Sequence, residues 1–484
     1  MQSIKKNYIY SVLYQILIIF IPLVTTPYLT RVLSISSLGI YSFTNSIAQY
    51  FYLFTMLGIM NYGNRSIARV RDDKNLLSKT FNEIYKLQLL IGIFVICLYS
   101  IYVIILLINQ SIYIGSTLIW LLYICSGVVD ISWFYWGIEN FKVTILKNVL
   151  IKIISTVGIF LFVKNNNDLN IYVFFVAGGA FISQIVLWVS LKDTIFFQKS
   201  SIKEIFNHFK PIIILFIPVI AVSIYTILDK LMLGGYGLIS ELGFYDNFQK
   251  IMILPTGILT SLGAVTLPRI SNLVTKQNFN EINKLIRISI SITMLLAFGM
   301  TFGIAGIAKC FVPIYFGPNF SNKALLLAVF TVTIPFIAWA NILRSQYLIP
   351  FSLDKIYIVS VFLGAVVNIL LNVFLLPTYG ALGATIATIF AEFTVALYQT
   401  YSIKTKLPIR TYLFDVVPYF IFGLIMFIFI YFSNIFSPHL SKVELLFIQL
   451  TLGIIVYLTL CLIYIIGRKN VLYHEINQLL KKRE

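Results

Sequence analysis

Charge is what this chain has least of. Only 11% of its 484 residues are Asp, Glu, Lys or Arg, while 59% are apolar, and soluble domains average about 25% charged residues. That scarcity excludes a soluble globular fold. Short segments of alternating polarity, the mark of a membrane β-barrel, are also lacking. Histidine is limited to His208, His439 and His474, all dispersed in connections or the tail. Cysteine is limited to Cys97, Cys125, Cys310 and Cys461, far apart and mostly within apolar runs. No metal or redox spacing results, and the cysteines read as packing residues. No glycine-rich stretch has the spacing of a phosphate loop, so transport driven directly by ATP would need another subunit. The composition implies no cofactor and no metal site.

What the chain does have is helix-length hydrophobic runs, each near the roughly 20 residues that a bilayer crossing needs. Fourteen windows can be drawn. The first seven are Tyr8–Thr30, Gly39–Met60, Ile84–Ile108, Ser116–Trp136, Thr144–Val163, Ile171–Leu191 and Pro211–Leu233. The others begin near Ile251, Ile286, Ala324, Ile356, Ala381, Tyr412 and Val443. The expected fold is an all-α integral membrane protein of about fourteen transmembrane helices. Lys5 and Lys6 precede the first run, but Pro27, Tyr28 and Arg31 stand where a cleavage site would be, so an uncleaved first helix is expected.

The net charge of +18 would suggest nucleic acid in a soluble chain. Here it follows from short basic loops kept on the cytoplasmic side, and no nucleic-acid partner is expected. Placing the N-terminus in the cytoplasm puts Arg65, Arg69, Arg71, Lys142, Lys147, Lys199, Lys203, Lys210, Arg269, Lys404, Arg410 and the tail cations on one side. Both termini are then cytoplasmic.

The chain also repeats itself. Phe81-Asn82-Glu83-Ile84-Tyr85-Lys86-Leu87 returns as Phe279-Asn280-Glu281-Ile282-Asn283-Lys284-Leu285. Leu38-Gly39-Ile40-Tyr41 echoes as Leu242-Gly243-Phe244-Tyr245, and Tyr41 to Arg65 is the same interval as Tyr245 to Arg269. An offset near 200 residues holds six spans, so both copies share an orientation. Two parallel six-helix bundles follow, over residues 1–200 and 201–405. Two additional helices cover 406–467, and a cytoplasmic tail covers 468–484. Parallel repeats of this kind are a transporter architecture, with the substrate site between the halves.

Charges inside spans are costly and therefore functional candidates. Glu392 lies midway along the twelfth helix, and Asp130 lies beside Trp133, Tyr135 and Trp136. Asp229 and Lys230 end the seventh helix as Arg31 ends the first. Each has an alternative reading. Lys152 and Arg31 reach headgroups if they snorkel, and Asp229 and Lys230 form an interfacial pair if they face each other. Arg65, Arg269 and Arg344 are positive-inside residues unless they line a cavity. Converging cations would suit an anionic substrate, especially a phosphate or pyrophosphate, because arginine forks onto phosphate oxygens.

Several motifs carry a family resemblance. Pro27-Tyr28-Leu29-Thr30-Arg31-Val32-Leu33 followed by Leu38-Gly39-Ile40-Tyr41-Ser42 resembles the start of Wzx-type polysaccharide flippases. Leu267-Pro268-Arg269-Ile270, Tyr315-Phe316-Gly317-Pro318, Gln346-Tyr347-Leu348-Ile349-Pro350 and Tyr379-Gly380-Ala381-Leu382-Gly383-Ala384 continue it in the expected order. These flippases belong to the multidrug/oligosaccharidyl-lipid/polysaccharide exporter superfamily. The resemblance implies a non-enzymatic flippase of undecaprenyl-pyrophosphate-linked oligosaccharide units in the bacterial cytoplasmic membrane. It serves capsule, O-antigen or exopolysaccharide synthesis, with membrane lipids, a polysaccharide polymerase and a chain-length regulator as further partners. Arg31, Arg65 and Arg269 would then attract the pyrophosphate, supported by Lys230, Lys152 and Arg344. Glu392, Asp130 or Asp229 would couple transport to an ion gradient. Relatives carry glycine where this chain has Ser34. A multidrug exporter of the same superfamily, a membrane polymerase and a scaffold in a glycan-assembly complex are the competing readings.

Overall fold

The structure, a computed structural model, describes residues 20–191, 194–436, 439–468 and 472–473. Lys5, Lys6, residues 8–19 of the first hydrophobic window, Lys192 and nearly all of the expected tail lie outside the described residues. The described residues are almost entirely helical and contain no β-strand. Ten of their helices are long and apolar enough to cross a membrane. The expected all-helical membrane fold is therefore the fold observed.

The chain packs as two compact units, Met1–Gly243 and Phe244–Glu484. The first contains α1 (20–32), α2 (Ile35–Met56), α3 (Ile59–Val70), α4 (Lys74–Ile108), α5 (Ile114–Val128), α6 (Ser132–Gly137), α7 (Phe141–Phe162) and α8 (Leu169–Val189). Beyond these come the short α9 (Ile202–Asn207), the long α10 (Phe209–Gly235) and the first turn of α11 (Ile239–Thr275). By the repeat, α10 begins the second bundle, yet it packs against α2 and α3 within the first unit.

The helix ends follow from the local sequence. Ser34 is extended (φ −68°, ψ 158°) and its side chain accepts the Ser37 N–H, an N-cap for α2. Asn166, in the α7–α8 connection, accepts from the Ser34 N–H at 2.7 Å and from the Ser37 hydroxyl at 2.8 Å. The α1–α2 turn therefore needs no glycine at position 34. Asp73 caps α4 by accepting from Asn75 and Leu76. Helices also run past the hydrophobic windows. α4 starts at Lys74 and α11 at Ile239, each a few turns ahead of its apolar run; the capped start of α4 is exposed where hydropathy no longer marks it, and the start of α11 is polar but mostly buried in the protein.

The echoed Leu-Gly pairs have a packing role. A Cβ on Gly39 would collide with the carbonyl of Ile239, and one on Gly243 would collide with that of Ile35. The first turns of α2 and α11 thus cross backbone to backbone, reciprocally, which only glycine permits.

In the second unit the remainder of α11 is followed by α12 (Phe279–Tyr315), α13 (Ala324–Phe330) and α14 (Thr333–Leu343). A single π-turn, Arg344–Leu348, leads to α15 (Asp354–Ile403), which breaks at Gly380 (φ 52°, ψ −128°). Those left-handed angles suit glycine, and they divide α15 into two helical halves. The last helices, α16 (Ile409–Phe436) and α17 (Lys442–Arg468), pack on α12. There Asp415 receives both Arg287 Nε and Nη2, at 2.5 and 3.0 Å.

Gly39→Val should lower the thermal unfolding midpoint of the detergent-purified protein by several degrees or prevent folding. Overpacking a filled contact costs about 1–3 kcal/mol, more when backbone is the obstacle. Gly178→Ala, whose added Cβ would meet only the Phe174 ring at 3.8 Å, should leave the midpoint nearly unchanged.

Candidate functional site

Asp130 occupies the interruption between α5 and α6 and is 4% exposed. Its carboxylate accepts from the Ser132 N–H at 2.8 Å, the Ser132 hydroxyl at 2.5 Å and the Tyr52 hydroxyl at 3.0 Å. The opened backbone is closed by Gln88 of α4. Its amide donates to the carbonyls of Gly127 and Asp130, at 2.7 and 2.9 Å, and its oxygen accepts from Trp133 Nε1 at 3.0 Å. Asp130 thus works as an internal cap in a largely buried network. Gln88 went unnoticed in the sequence because it carries no charge.

A second polar cluster joins α4 to the connection that follows α8. His208 sits between α9 and α10, with Nε2 2.9 Å from Glu83 and Nδ1 2.6 Å from the Tyr62 hydroxyl. A proton on Nε2 donates to Glu83 and leaves Nδ1 to accept from Tyr62. Lys79 donates to Glu204 at 2.6 Å. That ammonium, together with Ser201, holds the Glu204 carboxyl well below its usual range, to about 2. Glu83 was legible in the sequence as part of the repeated heptapeptide. His208, by contrast, stands in the sequence as one of three dispersed histidines.

The cations lie differently. Arg31 is exposed at the end of α1 and donates to the Pro27 carbonyl at 2.5 Å. Arg65 is exposed on α3 and makes no hydrogen bond or ion pair with another described residue. Lys152 is exposed on α7. On α10, Asp229 is buried to 1% exposure and Lys230 is half-buried. Of the second-unit residues, Arg269 is exposed and paired with Glu281 at 3.0 Å. Arg344 opens the π-turn, donates to Asn341 Oδ1 at 2.8 Å and lies 5.4 Å over the Tyr357 ring. Glu392 is buried in the second half of α15 and has no hydrogen-bond or ion-pair partner among the described residues. Asp130, Arg65, Arg269, Arg344 and Glu392 make no direct polar contact with one another or with the other candidates.

The second unit also has an apolar cavity of about 660 Å³, lined among others by Phe298, Phe302, Phe336, Trp339, Phe393 and Phe420. Its few polar groups include the Thr400 hydroxyl, which accepts from Trp339 Nε1. Such a wall suits hydrocarbon and not sugar.

Residues 4–274 match the family model described as "Polysaccharide biosynthesis protein". The chain is 25% identical over 390 residues to a Shigella dysenteriae protein described as "Putative O-antigen transporter", covering 79% of this chain and 96% of that one. It shares its fold with "Lipid II flippase MurJ, inward closed conformation" (TM-score 0.74, 17% identity, covering 96% of this chain and 99% of that one). A multidrug resistance MATE family transporter of the MOP superfamily, in an inward-facing conformation, aligns with TM-score 0.58 at 12% identity over 80% of this chain and 98% of that one.

Asp130→Ala should lower thermal stability by about 1–3 kcal/mol, because it strands the Ser132 N–H and the Tyr52 hydroxyl in a dry interior. Asp130→Asn, which keeps one acceptor oxygen, should lose less. The unfolding midpoints of the purified variants, read side by side, check the order.

Proposed function

We propose, from the premise that the chain belongs to the polysaccharide biosynthesis protein family, that it is a flippase of lipid-linked oligosaccharides. Its cargo is an undecaprenyl-pyrophosphate-linked repeat unit, carried from the cytoplasmic to the outer leaflet for a surface polysaccharide. The observation that carries this reading is the family match over residues 4–274 in a chain whose exposed guanidinium groups, Arg31 and Arg65, stand on an otherwise apolar background. Arginine is the side chain suited to a pyrophosphate, which it grips with two parallel N–H donors. Lys152 and Lys230 are the supporting cations of the first unit, and Arg269, paired with Glu281, and Arg344 are the candidate cations of the second. The 660 Å³ apolar cavity of the second unit suits the isoprenoid chain, which gains nothing from water.

Two six-helix bundles alternate between inward- and outward-facing states, driven by an ion gradient or the membrane potential. Only a difference in affinity between those states moves cargo in one direction. Glu392 is the coupling acid, because it is buried and has no protein partner among the described residues. Asp130 serves the α5–α6 break instead. The MATE-like fold keeps a multidrug exporter as the second reading. That reading fails if the purified protein flips a labelled lipid-linked oligosaccharide in vesicles.

Arg31→Ala should reduce the initial rate of that flipping by at least about tenfold, the scale of one lost charge-assisted contact, with normal protein levels in the membrane. Arg31→Lys should recover part of the rate. An unchanged rate for Arg31→Ala would make it a headgroup anchor. Glu392→Gln should retain binding of the lipid-linked cargo and lose the response of flipping to an imposed ion gradient. A gradient response equal to that of the parent would remove Glu392 from the coupling role.

A further inference from the structure

The connection between α8 and α10 is held along α4 in a regular way. The Phe196 N–H donates to Ser78 Oγ at 3.3 Å, and Asn82 Nδ2 donates to the Phe196 carbonyl at 3.0 Å. Lys86 Nζ donates to the Gln198 carbonyl at 2.8 Å and to the Ser200 hydroxyl at 3.3 Å. Ser78, Asn82 and Lys86 are spaced by four and share one face of α4. They hold Phe196, Gln198 and Ser200, alternate residues of the connection. The next residues form α9 behind a capping box, with the Ser201 side chain on the Glu204 N–H and Glu204 on the Ser201 N–H. His208 keeps right-handed helical angles (φ −79°, ψ −18°), so the helical register continues into α10.

That register sorts the side chains into three stripes. Ile205 is buried and His208 half-buried, facing α4 and Tyr62. Ile202, Phe206 and Phe209 form an exposed apolar stripe, with Ile202 76% exposed. Lys203, Asn207 and Lys210 form an exposed polar stripe beside it, and Lys199 is exposed just ahead of the helix. Between the end of α8 and this connection lies a cavity of about 460 Å³, lined by Ile185, Trp188, Val189, Leu191, Ile195 and Phe197. A basic helix with an exposed apolar stripe lies in a membrane interface. Its lysines favour anionic headgroups over zwitterionic ones.

We propose that residues 194–210 form a binding surface for an anionic phospholipid. Lys199, Lys203 and Lys210 hold its headgroup, Ile202, Phe206 and Phe209 dip below the headgroup plane, and the cavity beside Trp188 and Phe197 takes an acyl chain. The proposal does not rest on the flippase reading. Because α4 fixes the connection at four backbone and side-chain points, the surface is built before any lipid arrives.

The test uses the full chain in vesicles that contain no glycolipid, with a bimane fluorophore on Asn207→Cys in a variant lacking the native cysteines. Brominated phosphatidylglycerol or brominated phosphatidylcholine is included at equal mole fraction. The expected result is stronger quenching by phosphatidylglycerol. The preference should fall by up to about fivefold for each lysine removed and vanish in Lys199→Gln/Lys203→Gln/Lys210→Gln. It should return in the matching Lys→Arg triple variant and weaken at high salt. Equal quenching by the two lipids overturns the proposal, as does a preference that survives the triple Lys→Gln change. Loss of the preference on adding inorganic phosphate at unchanged ionic strength also overturns it, because the lysines then bind free phosphate. A thermal midpoint within a few degrees of the parent establishes that the Lys→Gln variant is folded, and the Lys→Arg variant answers the same question if it is not.

Discussion

At membrane depth no water is present to satisfy an interrupted helix, so every break must be closed by the protein. The break at Asp130 shows what this requires. Two side chains from other helices, Gln88 and Tyr52, reach into it, and its direction fixes α6. Trp133 of α6 then lies against Gly63 of α3, so closely that a Cβ there would strike the indole ring. The position of α3, and of the Arg65 guanidinium it carries, therefore depends on a neutral amide on α4. Other breaks rely on the backbone. At Leu57 (φ 42°) the N–H still reaches the Leu53 carbonyl, and at the π-turn the Ile349 N–H takes the Arg344 carbonyl.

The repeated heptapeptide gains a physical meaning in the same way. In the first unit, Asn82, Glu83 and Lys86 bind the backbone and His208 of the segment that follows α8. In the second, Glu281 pairs with Arg269 instead; the Tyr412 hydroxyl of α16 reaches the Asn283 backbone carbonyl at 3.4 Å, and just past the motif Arg287 donates to Asp415. The polar side chains of the first copy thus form a track for the connection that follows, whereas the second copy's carboxylate holds Arg269. Cargo contact is not required to explain either.

Much of the fold was legible because hydropathy and length respond to the bilayer, and the bilayer acts on every span. Most of the hydrophobic windows fall on helices where the residues are described, with interruptions at Leu57–Gly58 and Val129–Ile131, and the Gly380 kink separates two windows that run together as one helix. Packing partners were less legible. The repeat marks α10 as the first helix of a second copy, but similarity between copies says nothing of which neighbour a helix buries its face against. Asp130 was singled out because a buried charge is expensive. The same expense is met by three donors whose positions depend on the backbone turn, and no spacing in the sequence announces that turn. His208 was set aside for lack of a nearby histidine or cysteine, whereas its partners are a tyrosine and a glutamate brought in by other helices.

The buried acids also divide by what is left for them to bind. A carboxylate offers roughly four acceptor sites, and Asp130 already uses three on protein donors. An arriving ion would have to displace a bond that holds α5 to α6, so its binding would be opposed by the stability of the unit. Among the described residues, Glu392 has no such bond to break. It stands in the half of α15 beyond Gly380, where the left-handed break frees that half from the direction of the half before it. A group that titrates or binds a cation without dismantling a fold is one whose occupancy is free to differ between two conformations. That difference is the quantity on which coupled transport depends.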